Sequence, residues 1–142
     1  PFHTITRGKL EAPAPDREES RHDGLFASPD ALLTPSDIAR AAHDPAIRIE
    51  PAAKAALLYG LPCAVYHQFP AAYYLAARFP DDFESAVLHA INGGGQNLAR
   101  AMLTGALCGS MVGLSGIPRR FITGLDRSQS LLALADRLVD AM

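Results

Sequence analysis

Cysteine is scarce: Cys63 and Cys108 are the only two among 142 residues. Each sits inside an apolar run, which excludes a disulfide scaffold and leaves two buried free thiols as the expectation. That usage fits an intracellular, cytoplasmic compartment. Charge of one sign is missing too, with 13 basic against 15 acidic side chains and a net charge of −2. The arginines are scattered, so the basic footprint of a protein that grips nucleic acid by its phosphates is absent. Near Pro1 nothing follows the charged, apolar, small-residue order of a secretory signal, and Pro1 itself is compatible with a processed or clipped start. No Gly-x-Ser-x-Gly elbow and no phosphate-loop lysine occurs, and neither cysteine has a nucleophile signature around it. His3, His22, His43, His67 and His89 never fall into a metal-binding spacing with cysteine or carboxylate. Few stretches alternate with a period of two, which argues against a sheet.

What the chain has is apolar residues at helical spacing. With 49% hydrophobic residues, a chain of 142 can close about one core. Residues 1–33 mix Pro13, Pro15 and Pro29 with the run Arg17, Glu18, Glu19, Arg21 and Asp23, and read as an irregular, solvated arm. From 34 to 142 the pattern is helix after helix, a multi-helix, all-α domain. Thr34 is placed to cap a helix reaching His43, with Pro35 in its first turn. Residues 52–60 form a second helix closed by Gly60, Cys63 to Phe69 a third, and Pro70 opens a fourth that runs to Arg78. Asp81 and Glu84 have the spacing of a capping box, ahead of an apolar face at Phe83, Ala86, Val87, Ala90 and Ile91. At the C-terminus, a helix capped by Ser128 sets Leu131, Leu134, Ala135, Leu138 and Met142 opposite Asp136, Arg137 and Asp140.

Between these lies a run, Gln96 to about Gly113, with no polar face, which predicts a buried helix at the centre of the bundle. Gly105, Gly109 and Gly113 recur every four residues along it. Such spacing serves membrane helix pairs, but the run from Ala101 to Ile117 is near the lower length limit for spanning and is diluted by polar and glycine residues. Close packing of soluble helices, with no membrane, is the expectation.

Gly93, Gly94 and Gly95 lead directly into that helix. Glycines permit positive φ, and the first N–H groups of a helix lack internal partners, so such a turn suits a phosphate. Gln96 and Asn97 add amides at the helix mouth, and Arg100 stands one turn on, in reach of the same ligand. His67, between Tyr66 and Phe69 beside a helix break, is the one histidine placed near a ligand. The candidate binding residues are therefore Gly94, Gly95, Gln96, Asn97, Arg100 and His67. No catalytic residue is assigned. Asp81 and Asp82 are read as helix-start residues, not as a paired-carboxylate site.

Taken as an ordered set, Leu61 to Ala71 (LPCAVYHQFPA), Asp81 to Val87 (DDFESAV), Gly93 to Ala101 (GGGQNLARA), Thr104 to Gly109 (TGALCG) and Gly116 to Pro118 (GIP) resemble the C-terminal portion of the ADP-ribosylglycohydrolase family. That family also includes the dinitrogenase-reductase-activating glycohydrolases and the J-type crystallins. The resemblance implies an all-α hydrolase that holds a pair of magnesium ions and cleaves the glycosidic bond of ADP-ribosyl groups. In its typical member the two glycines precede Asp, a small polar residue, Asp and Thr or Ser, and those carboxylates ligate metal. Here the matching positions read Gln96, Asn97, Leu98 and Ala99. A variant branch with Gly-Gly-Asp-Asn, two variable residues and Arg is matched by Asn97 and Arg100 but not by Gln96. Magnesium prefers charged oxygen ligands, so Gln96 is at best a weak metal ligand and Leu98 none. Residues 1–56 show no sign of the family's other acidic ligand motifs, as in a C-terminal piece matched to a missing N-terminal half. Three readings follow: a fragment of an ADP-ribosylglycohydrolase-like protein that binds ADP-ribose or a related nucleotide but is inactive alone; a crystallin-like pseudoenzyme; or a helical module that packs on a partner or a second copy.

Overall fold

The computed structural model describes residues 34–141, which are predominantly helical, with no strand among the described residues. The proposed arm at 1–33 and the apolar contribution of Met142 lie outside the described residues. Seven α-helices follow in order: α1 (Pro35–His43), α2 (Ala55–Tyr59, entered through a 3-10 turn at Ala52–Lys54), α3 (Val65–Arg78), α4 (Phe83–Asn92), α5 (Asn97–Gly116), α6 (Arg119–Thr123) and α7 (Ser128–Asp140).

The hub of the fold is α3, which packs against α1, α2, α4 and α5. Its small residues Ala71, Ala72 and Ala76 let those helices come close, while Tyr74 and Leu75 fill the space between them. One apolar cluster joins Ile38, Ala41 and Ala42 of α1 to Ala55 and Tyr59 of α2, Tyr74 and Leu75 of α3, and Ala90 of α4. A second gathers Ala76, Phe83, Ala86, Val87 and Cys108, with Phe121 of α6 set edge-on against Phe83. The Tyr74 hydroxyl accepts the Ile49 N–H at 2.7 Å and so ties the 44–51 connection to the hub.

Several expectations are corrected. The helix opening at Pro70 does not exist; Pro70 lies buried inside a continuous α3. At that position only the Tyr66 carbonyl is deprived of its helical donor, a loss the tertiary packing tolerates. The cap of α4 is Asp82 instead of Asp81: the Ser85 N–H donates to its Oδ1 at 2.9 Å and the Ser85 hydroxyl to its Oδ2 at 2.6 Å. Thr34 and the N-terminus of α7 have no side-chain cap, and Ser128 is the first helical residue after a left-handed Arg127. Cys63 is exposed; only Cys108 is a buried thiol.

The largest correction concerns α5. It buries only Arg100, Thr104 and Cys108, a narrow stripe against the rest of the bundle, and leaves Leu98, Met102, Met111 and Leu114 exposed. At 20 residues and a mean hydropathy of 1.3 it is long and apolar enough to cross a membrane by length and composition alone. Gly105 and Gly109 are not sites of tight approach: a Cβ at either would meet its nearest neighbours at 3.7 Å, ordinary contact. Gly113 instead breaks the helix with φ +67. The C-terminal helix α7 likewise buries no residue, and Leu131, Leu134 and Leu138 stand in solvent.

Candidate functional site

The end of α4 and the start of α5 are joined by Gly93–Gln96, and the local reason for glycine differs at each position. Gly94 and Gly95 both adopt left-handed backbone, φ +73 and +61, a region that disfavours side chains. Around Gly94 a Cβ would find open space; at Gly95 it would lie 2.6 Å from Leu61 Cβ and 2.8 Å from the Leu61 carbonyl oxygen. Gly93, with ordinary φ, is pressed onto α2, where a Cβ would come within 2.6 Å of Ala56 Cβ. The turn is thus seated on the α2–α3 region, and the Gln96 N–H donates to the Leu61 carbonyl at 3.0 Å to hold it there.

The seat itself is built by α3. Gln68, buried, donates from Nε2 to the Pro62 carbonyl at 2.6 Å. His67 donates from Nδ1 to the Tyr59 carbonyl at 2.5 Å, with its ring against Gly60 and tilted by 58° beside Tyr66. Gly60 has φ +116, and a Cβ there would lie 2.3 Å from His67 Nδ1, so only glycine admits this histidine. His67 therefore braces the loop beneath the turn. Gln68 was missed in the sequence because nothing in a single helical glutamine signals that its amide is turned inward.

Arg100 also differs from its expected role. It is 0% exposed, with Nε donating to the Ala90 carbonyl at 2.9 Å and Nη2 to the Gly94 carbonyl at 2.5 Å. Desolvation holds its pKa below the ordinary arginine value, although the group stays charged at any physiological pH. Its Nη1 has no partner among the described residues. It grips the inner side of the turn and does not reach out from it. Gly94, Gly95, Gln96 and Asn97, by contrast, are all exposed. Gln96 makes no side-chain cap to α5, and the Asn97 Nδ2 lies 3.4 Å from the Ile91 carbonyl. The structure thus gathers all six candidate residues around one loop-on-turn contact, four on its outer surface and Arg100 and His67 supporting from within.

An uncapped helix start with outward amides suits an anionic or hydroxylated ligand. It does not suit magnesium. Gln96 offers a neutral carbonyl, Leu98 at 68% exposure offers nothing, and no group of three His, Cys, Asp or Glu side chains occurs among the described residues. A hard dication asks for several charged oxygens, so the donor set of this turn does not fit the ion. A separate groove of about 300 Å³, lined by Leu88, Arg120 and Phe121, includes none of the turn residues.

The family described as ADP-ribosylglycohydrolase matches residues 7–142. No curated protein and no solved structure gives a significant match.

Proposed function

Because this chain belongs to the ADP-ribosylglycohydrolase family, we propose that its turn at residues 94–97 binds ADP-ribose or a related nucleotide, and that the chain by itself does not hydrolyse the glycosidic bond. The observation that carries this reading is the exposed, uncapped start of α5 behind two left-handed glycines. Backbone N–H groups and the amides of Gln96 and Asn97 meet phosphate or ribose oxygens there. Hydrolysis in the family's manner needs charged ligands to place a metal and activate water, and the neutral Gln96 and apolar Leu98 supply none. The reading includes an intracellular setting, in keeping with two free thiols, and no membrane, since Arg100, Thr104 and Cys108 anchor one stripe of α5 to the bundle.

Calorimetric titration of the chain with ADP-ribose, with and without magnesium, is the test. Binding heat that is indifferent to the metal, with no ADP-ribose released from modified arginine or serine, is expected. Absence of heat refutes the binding, and magnesium-dependent release refutes the inactivity. Gln96→Asp combined with Leu98→Asp should add a magnesium response that the parent chain lacks.

A second reading, a crystallin-like member without ligand chemistry, is favoured by Leu98 itself. A leucine left in solvent beside the turn is poor company for a phosphorylated sugar. A third, a helical module, draws on the exposed leucines of α7 and a partner or second copy to cover them.

A further inference from the structure

The glycines permit the shape of the turn, and the contacts around them select it. Gly94 has open space where a side chain would begin, so the orientation of the Gly94–Gly95 peptide is set by what its carbonyl and N–H meet. Gly95 and the Gln96 N–H rest on Leu61, and one side chain takes the Gly94 carbonyl. Arg100 spans from the last turn of α4 to the turn, donating to the carbonyls of Ala90 and Gly94. A planar trans peptide points its C=O and its N–H in opposite directions. Drawing the Gly94 carbonyl inward onto Arg100 therefore turns the Gly95 N–H away from it. That N–H has no backbone partner among the described residues, and Gly95 is exposed.

We propose that Arg100 is the positioning residue of this site: it aims the Gly95 N–H at a phosphate oxygen of the ligand without touching the ligand itself. The inference rests on the nucleotide-binding reading above. Arginine suits the task because its rigid fork can bond two carbonyls at once, whereas lysine is a point donor on a flexible stem. Its burial keeps water from competing for those carbonyls, so the turn is set before any ligand arrives.

The test uses the full chain, labelled with nitrogen-15 and titrated with ADP-ribose. In the parent protein the Gly95 amide resonance is expected to move most, while the Arg100 Nε–H stays in place and exchanges slowly. Arg100→Lys is expected to displace the resonances of Gly94, Gly95 and Gln96 before ligand is added, to leave those of Ala71 and Leu75 unmoved, and to weaken binding about tenfold or more. A ligand-induced shift of Arg100 Nε–H as large as that of Gly95 overturns the proposal, since it marks direct contact. So does an Arg100→Lys protein with parental affinity and unmoved turn resonances. Should Arg100→Lys fail to fold, the parent titration decides alone. If the parent binds no ADP-ribose, the nucleotide-binding reading falls by itself, and unmoved turn resonances in free Arg100→Lys overturn the positioning role separately.

Discussion

Glycine does two different jobs at Gly95 and Gly105, and substitution separates them. Gly95 combines left-handed backbone with close contact to Leu61, so Gly95→Ala should destabilise by about 2 kcal/mol or more, from strain plus displacement of the Leu61 loop. Gly105 is helical with room for a methyl group, and Gly105→Ala should stabilise by up to about 1 kcal/mol through helix propensity. Thermal unfolding midpoints moving in opposite directions would confirm the distinction; a loss in both would show that α5 is more tightly packed than its 3.7 Å neighbours indicate. The two cysteines separate as clearly. Burial pushes the Cys108 thiol up to about 11, with Asp82 adding a smaller effect, and Cys63 is exposed. A thiol reagent at neutral pH should modify one cysteine of the folded chain and two only after denaturation, because the thiolate is the reactive form. Both apolar runs look alike in sequence, and only the course of the α2–α3 loop puts Cys63 in water.

At the scale of the element, α4 shows how a cap is chosen. Asp81 and Asp82 each have a polar partner three residues on, so spacing alone does not distinguish them. Phe83 has to reach the core beside Cys108, and that register leaves Asp82 outside the helix to receive Ser85. The Ser85 hydroxyl and N–H hold the Asp82 carboxyl below the usual aspartate range. A depressed folded-state pKa means that this stabilisation is complete above the ordinary aspartate pKa and fades as pH falls through the lowered value. Asp82→Ala should therefore destabilise by about 1 kcal/mol near neutrality, with the gap to the parent closing in acid. A difference independent of pH would remove the carboxylate from the explanation. In α3 the same override by packing appears at Pro70, where a local helix breaker is accommodated because residues on both sides of it are locked into the hub.

For the molecule as a whole, apolar surface is distributed unevenly. The hub around α3 is closed, whereas α5 and α7 carry leucines and methionines into solvent. Leu134 and Leu138 of α7, the latter 66% exposed, touch no buried cluster. Exchanging both for glutamate should change the folding stability of the chain by no more than about 0.5 kcal/mol per site. Any self-association seen by light scattering should diminish in the same variant. A large loss of stability instead would mean that α7 packs on the bundle in solution.

The sequence by itself determined the helical class, the limits of most helices, the glycine turn and the family, because these depend on periodicity, propensity and ordered motifs that neighbours along the chain carry. It also singled out six residues that the structure places around one turn. The tertiary structure alone decided their division of labour: that Arg100 and His67 face inward as supports, that Gln68 holds the seat, and that α3 is the hub while α5 stays half uncovered. Periodicity shows that a face is apolar, but whether anything lies against it depends on the rest of the chain in space. In the same way, a short motif names an arginine without saying which carbonyls its guanidinium will find.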